Sequence, residues 1–226
     1  MSRAPMRGAL MRKFFGISAI FLVALTSGAF ADAPTKTYAE LVAQAESGDP
    51  ATDYTALRMA FVASDQYDGY MSDRDDELKP AWDASQAKDC AGAIAASDKV
   101  VKKYFMVTLL HMMRQRCYRE LGNTEAADRE FAIAKGLLDS VLKSGDGKSP
   151  ETAYVVVTMS EENLVEGWFD LDQQRQSLIN KGGHNYDLIE GPNHKTGEHM
   201  AIYFNVDAMF GSLLKKFGAK REGAQN

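Results

Sequence analysis

Apolar residues recur at three- and four-residue intervals through the first half of this chain and give way to strand-like runs after Pro150. Thr37-Tyr38-Ala39-Glu40 has the spacing of a capping box, in which a Thr hydroxyl and a Glu carboxylate satisfy each other's backbone amides. It predicts a short helix ending near Gly48, with Asp49-Pro50 as the breaker. Tyr54, Leu57 and Phe61 stand at i, i+3 and i+7 and predict a second helix from about Asp53 to Ala63. Residues 64–80 carry no period. From Trp82 to Leu142 the helical pattern resumes. Ala87, Cys90, Ala91, Ile94 and Ala95 form one face of a third helix. Val107, Leu110, Cys117, Tyr118 and Leu121 stripe a fourth, which stops at Gly122, a left-handed cap. Thr124 caps a fifth, with Ala127, Phe131, Ala134, Leu138 and Val141 turned inward and Gly145 at its end.

Ala153 to Met159 is rich in β-branched and apolar residues and reads as a buried strand. Ser160 then caps a helix whose first turn carries Glu161 and Glu162, charges that complement the helix dipole. This helix is expected to run to about Asn180, with a break near Gly167, and to end at Gly182-Gly183. Tyr186–Ile189 and Met200–Asp207 read as two further strands joined by the polar loop Gly191–Glu198, and a last helix covers Ala208 to Phe217. The fold class is therefore α+β and mostly helical. Helical hairpins fill the first half; a small, partly antiparallel sheet of about three strands with covering helices fills the second. The serial helices around the Tyr118-Arg119-Glu120-Leu121-Gly122-Asn123 turn are similar to a tetratricopeptide-like hairpin stack, although no second copy of the repeat aligns with the first.

Three regions follow. Residues 1–31 read as a signal peptide: Arg3, Arg7, Arg12 and Lys13 precede the apolar run Phe14–Val23, no acidic residue occurs before Asp32, and Ala29-Phe30-Ala31 suits signal peptidase. Met11 could itself be the start. A retained anchor is the alternative, but Gly16, Ser18, Thr26, Ser27 and Gly28 interrupt a run already short for a bilayer span. Residues 32–146 form the helical, tetratricopeptide-like region and 147–226 the small α+β region, packed together as one unit. Localisation is then periplasmic or secreted, with no transmembrane segment after cleavage.

The whole chain has a formal charge of −5. The leader removes four basic residues and no acidic ones, so the mature part is more acidic still. That surface repels phosphate backbones and anionic headgroups, and nucleic acid is not an expected partner. The two cysteines, Cys90 and Cys117, flank a midpoint at Lys103-Tyr104. A turn there would set them opposite each other on antiparallel helices, with arms of roughly 20 Å at 1.5 Å per residue. An oxidising compartment favours a disulfide. Free thiols are the alternative, and zinc would need ligands beyond the nearby His111.

Ser144-Gly145-Asp146-Gly147 followed by Ser149-Pro150-Glu151-Thr152-Ala153-Tyr154-Val155-Val156 resembles a motif of a bacterial family of exported proteins, domain of unknown function 4919. Tyr54…Leu57-Arg58, the Glu161-Glu162 pair, Gly183…Tyr186-Asp187 and Ile202-Tyr203-Phe204-Asn205-Val206 are similar to it as well, from about Tyr54 to Phe217. The resemblance implies a signal peptide, a helical first half and a mixed second half, and brings no catalytic residues.

Candidate chemistry is sparse. His184, His194 and His199 surround the proposed hairpin with Asp187 and Glu198 nearby, a donor set suited to zinc or another transition metal. Their spacing fits no zincin pattern, and polar turn residues are the plainer account. The acidic run Asp73, Asp75, Asp76, Glu77 lacks the glycine and glutamate of an EF-hand loop and reads as solvated. Asp146 between two glycines reads as a helix stop and linker. Glu161 and Glu162 point about 100° apart on a helix and cannot flank one bond as glycosidase carboxylates do. No nucleophile elbow, Walker loop or dinucleotide fingerprint occurs.

Two functions stay open. One is a non-enzymatic cell-envelope or periplasmic module that binds a peptide or another envelope protein in a groove between helices, with Tyr104, Phe105, Tyr118 and Phe131 as candidate lining and no cofactor. The other is a metal-dependent hydrolase built on His184, His194 and His199.

Overall fold

The computed structural model describes residues 36–211. The expected leader and the end of the last expected helix, towards Phe217, lie outside the described residues. Helix α1 (Tyr38–Glu46) begins at the capping box: the Glu40 N–H donates to the Thr37 hydroxyl at 3.3 Å, and the Thr37 N–H donates to the Glu40 carboxylate at 2.7 Å. Helix α2 (Tyr54–Ala63) is capped by Asp53, which accepts from the Ala56 N–H, and it buries Leu57, Arg58 and Phe61.

The long helical run divides into four. Helix α3 (Lys79–Gln86) carries Pro80 in its first turn, where a missing N–H has no partner to lose. Lys88, at φ 60°, turns the chain. Asp89 then caps α4 (Cys90–Ser97) by accepting from the Gly92 N–H at 2.8 Å. Turns over residues 98–107 lead into α5 (Thr108–Glu120). Asn123, rather than Thr124, caps α6 (Thr124–Leu142) by accepting from the Ala126 N–H. Short connections make α3–α4 and α5–α6 antiparallel hairpins. Cys90, the first residue of α4, is disulfide-bonded to Cys117 in the last turn of α5, with Cα atoms 4.8 Å apart. The bridge closes the α4–α5 pair at the end away from its connection. In the core beneath lie Leu57, Phe61, Leu78, Phe105, Leu110 and Leu137.

Two glycines carry the chain into the sheet. At Gly145 an added Cβ would stand 2.3 Å from the Thr152 carbonyl oxygen; at Gly147, φ 68°, it would meet the Tyr154 ring at 2.7 Å and Ile202 at 2.9 Å. Only a bare backbone fits both places. The Thr152 carbonyl accepts from the Asp146 and Gly147 N–H groups, and the Gly147 carbonyl accepts from Tyr203 in the sheet. The Gly-Asp-Gly segment is thus a packed crossing point as well as a helix stop.

The sheet has four strands rather than three, in the order β1-β4-β3-β2. Strand β1 (Tyr154–Val155) is shorter than the apolar run suggested and pairs parallel with β4 (His199–Asn205). Strands β2 (Arg175–Lys181), β3 (His184–Pro192) and β4 are antiparallel neighbours. Residues 175–181 were expected to be helical. They form an edge strand without one fully buried side chain, so the alternation that marks a half-buried strand is missing. Gly182 and Gly183, both at positive φ, close the β2–β3 hairpin instead of ending a helix. Helix α7 (Met159–Trp168) follows Thr158 as its N-cap residue, not Ser160, and stops short at Asp170, φ 53°. Its Val165 packs with Phe169, Val141 and the sheet residues Ile189, Ile202 and Phe204 in a second core. Residues 207–211 begin a further helix.

Candidate functional site

Helix α7 carries three glutamates, all buried. Successive helical residues diverge by about 100°, so Glu161 and Glu162 look different ways. Glu161 faces α2: its carboxylate accepts from Arg58 Nε and Nη2, both at 2.8 Å, and from the Val157 N–H at 2.8 Å. Arg58 also donates to Ser140 of α6 and to the Val155 carbonyl of β1.

Glu162 and Glu166, one turn apart, lie on a neighbouring stripe. Glu162 is 4 % exposed, and its Oε1 finds no hydrogen-bond partner among the described residues. Burial, followed by the charges of Asp187, Glu166 and Glu161, pushes its pKa up to about 8. Burial lifts Glu166 to about 7 against the pull of Arg74. Asp187 on β3 is raised by burial too, although Gln176 of β2 donates to it at 2.6 Å. Glu162 and Glu166 thus hold protons near neutral pH, the reverse of the dipole-complementing anion expected at Glu162, while Glu161 is the anion of the Arg58 ion pair.

A second buried network joins α4, α5 and α6. Glu130 takes His111 Nδ1 at 2.6 Å and Arg114 Nε at 2.8 Å, while Arg114 also reaches Ser97, Asp98 and Tyr118. His111 Nε2 meets the Phe105 carbonyl at 2.9 Å. Burial would raise the Glu130 pKa, but His111 and Arg114 together hold it below the ordinary carboxylate value. Every strong donor here is matched, which marks a structural tie rather than an open site.

Two apolar depressions open on the α5 surface and share Met112. The first, about 430 Å³, lies between α5 and α6 and is lined by Met112, Phe131, Ala134, Leu138 and Trp168 of α7. Phe131 and Trp168 are 53 % and 56 % exposed, large aromatic surfaces left in water. The second, about 540 Å³, lies between α3 and α5, with Trp82, Leu109, Met112 and Met113 as its apolar wall and Arg74 and Arg116 beside them.

The expected site residues fall in different places. Of the groove aromatics, Tyr104 and Phe105 are buried in the helical core, because the turns before α5 fold them under the hairpin. Tyr118 is half-buried against Arg114. Phe131, expected to point inward, is on the surface and does line a depression. Trp168, its neighbour there, is not among the sequence candidates: a helix running to about Asn180 places it mid-helix, whereas α7 ends at Trp168.

The histidines do not converge. His184 opens β3 beside the β2–β3 turn, while His199 pairs with Pro192 at the other end, roughly 26 Å away at ~3.3 Å per residue. His184 meets Asp207 at 2.6 Å, His199 approaches Glu190 at 3.7 Å, and the His194 backbone N–H donates to the Asp170 carbonyl. Among the described residues, no group of three or more His, Cys, Asp or Glu side chains could hold a metal ion. The hairpin that was to gather them is instead a long ladder with one histidine at its far end.

A mostly helical α+β domain with hairpin-packed helices, buried ion-pair networks and an open apolar surface is the class these features define. The chain belongs to the family Domain of unknown function (DUF4919), which matches residues 31–215. No curated protein and no solved structure matches it. No helix among the described residues is long and apolar enough to cross a membrane.

Proposed function

We propose that this protein is an exported, non-enzymatic binding module of the periplasm or cell surface that takes an apolar peptide segment of another envelope protein on its α5 surface. The observation that carries the reading is the pairing of Phe131 and Trp168, both more than half exposed, across one depression with Met112 and Leu138. Exposing two large aromatics side by side forgoes their burial, and contiguous apolar surface of this kind marks interaction sites. Aromatic anchors in such a pocket supply most of the energy of a peptide interface. Export rests on the leader-like residues 1–31 and accords with the Cys90–Cys117 disulfide, a bond that persists in oxidising compartments.

Panning a random peptide library on the purified mature protein tests the reading. Wild-type protein selects sequences with two or more large apolar residues, and a Phe131→Ser, Trp168→Ser double variant does not. Equal recovery on both proteins would remove the depression as the binding site.

A further inference from the structure

Seven arginines lie among the described residues. Five have a carboxylate within 4 Å: Arg58 with Glu161, Arg114 with Glu130 and Asp98, Arg119 with Asp128, Arg129 with Glu125, and Arg175 with Glu190. Arg74 and Arg116 have none among the described residues, and both line the same cleft between α3 and α5. We infer that this cleft receives the acidic side chains of the bound segment, so that the ligand is an apolar peptide flanked by Asp or Glu. The inference rests on the proposed peptide-binding role and names the ligand's chemistry.

The cleft is prepared for such a ligand. Arg116 donates to Ser85 Oγ at 2.5 Å, which fixes the guanidinium at the rim and leaves further N–H groups for a carboxylate. Trp82 is locked as a wall, because its indole N–H donates to the Asp73 carbonyl at 2.7 Å. Asp73 is the one acid in the lining, and its Oδ1 is already engaged by Asn163 at 2.8 Å. Arg74 acts on the buried Glu166, pulling its carboxyl down against a burial that still lifts it to about 7. The protein as a whole is acidic, with a formal charge of −5. Two arginines on one apolar cleft, neither with a carboxylate within 4 Å among the described residues, set this cleft apart from the other described arginines, all of which are paired. The chain's own tail is the wrong occupant: Lys215, Lys216, Lys220 and Arg221 would repel the two arginines.

Three sets of short synthetic peptides test the inference, each amidated at the C-terminus so that only side chains supply charge. All share one Phe-Leu-Ile core, flanked by Glu-Glu, Gln-Gln or Lys-Lys, and binding is followed by tryptophan fluorescence of the full mature protein. The acidic peptide should bind at least about tenfold tighter than the neutral one, the ratio one charge-assisted hydrogen bond supplies. The advantage should shrink with added salt and vanish in an Arg74→Gln, Arg116→Gln variant that still binds the neutral peptide. Equal affinity for acidic and neutral peptides would overturn the inference and leave the peptide-binding role standing. Failure of all three to bind would overturn both. Binding to anionic phospholipid vesicles in preference to the acidic peptide would reassign the arginines to a membrane surface.

Discussion

Arg58 and Glu161 stand 103 positions apart and meet in a two-pronged ion pair at 2.8 Å, with side chains only 1 % and 2 % exposed. Arg58 belongs to the helical half and Glu161 to the helix that covers the sheet, and through Ser140 and the Val155 carbonyl the same guanidinium also reaches α6 and β1. One side chain thereby fixes the relative position of four elements. A buried ion pair adds little net stability over apolar residues of the same volume, yet it tolerates only one arrangement of its surroundings. Helix α2 and the helix that covers the sheet are tied here by charge.

Removing either partner alone strands the other charge in the core. Arg58→Met or Glu161→Gln should each destabilise the protein by about 3–5 kcal/mol in urea unfolding. The Arg58→Met, Glu161→Leu double variant should recover much of that loss, because no buried charge remains. Strictly additive losses in the double variant would show that the pair does not act as a unit.

The Cys90–Cys117 bridge spans 27 positions. In the chain-entropy description, closing such a loop in the unfolded state contributes about 3.5 kcal/mol. Reduction, or a Cys90→Ser, Cys117→Ser variant, should lower the urea midpoint accordingly while the helical circular dichroism of the folded state persists. An unchanged midpoint after full reduction would count against the bridge.

The helical half was legible because its signals are local: Thr37 and Glu40 cap a helix from three residues apart, and the Cys90–Cys117 spacing fits a hairpin. The second half was harder to read. Strand β2 shows no alternation, and a Gly-Gly pair serves a helix end and a hairpin turn equally well in sequence. The candidate site was the least readable part. Whether a Phe at helical spacing faces core or solvent depends on which neighbouring helix arrives, and Phe131 faces solvent. The roles of Glu161 and Glu162 were hidden for the same reason: their partners, Arg58 and Asp187, come from distant elements. An arginine within the apolar run Ala56-Leu57-Arg58-Met59-Ala60-Phe61 was the one signal that could have exposed the ion pair, since a charge on a buried stripe needs a partner.

The exposed aromatics allow binding to be separated from folding. Phe131 and Trp168 contribute mostly solvent-facing surface, so Phe131→Ser and Trp168→Ser should change unfolding free energy by no more than about 0.5 kcal/mol each. A buried aromatic of the same helical layer behaves differently: Phe105→Ala, at 1 % exposure, should cost about 3–5 kcal/mol. Comparable losses at Phe131 and Phe105 would mean that the α5–α6 depression belongs to the core.

The carboxyl cluster of Glu162, Glu166 and Asp187 sets the pH dependence of stability. Glu162 has a folded pKa of about 8 and Glu166 of about 7, against 4.5 for a free glutamate. Between those values the folded protein holds protons that the unfolded chain has released, so stability falls as pH rises. It is fully present below pH 4.5 and is lost progressively as pH rises towards 8. For Glu162 the loss is on the order of 5 kcal/mol. The groups facing it are Asp187 from the sheet and Glu166 and Glu161 on its own helix, all acids; the nearby cation, Arg74, acts on Glu166. Among the described residues no base acting on Glu162 reverses the sign. Glu130, whose pKa is depressed, loses its contribution only as pH falls through that lowered value, outside this window. Urea unfolding should therefore give a higher midpoint at pH 5 than at pH 8. Glu162→Gln, which keeps the shape and removes the ionisation, should flatten most of that slope and leave the variant more stable than wild type at the alkaline end. A wild-type midpoint that rises between pH 5 and pH 8, or a slope unaltered by Glu162→Gln, would show that Glu162 is not held neutral in the fold.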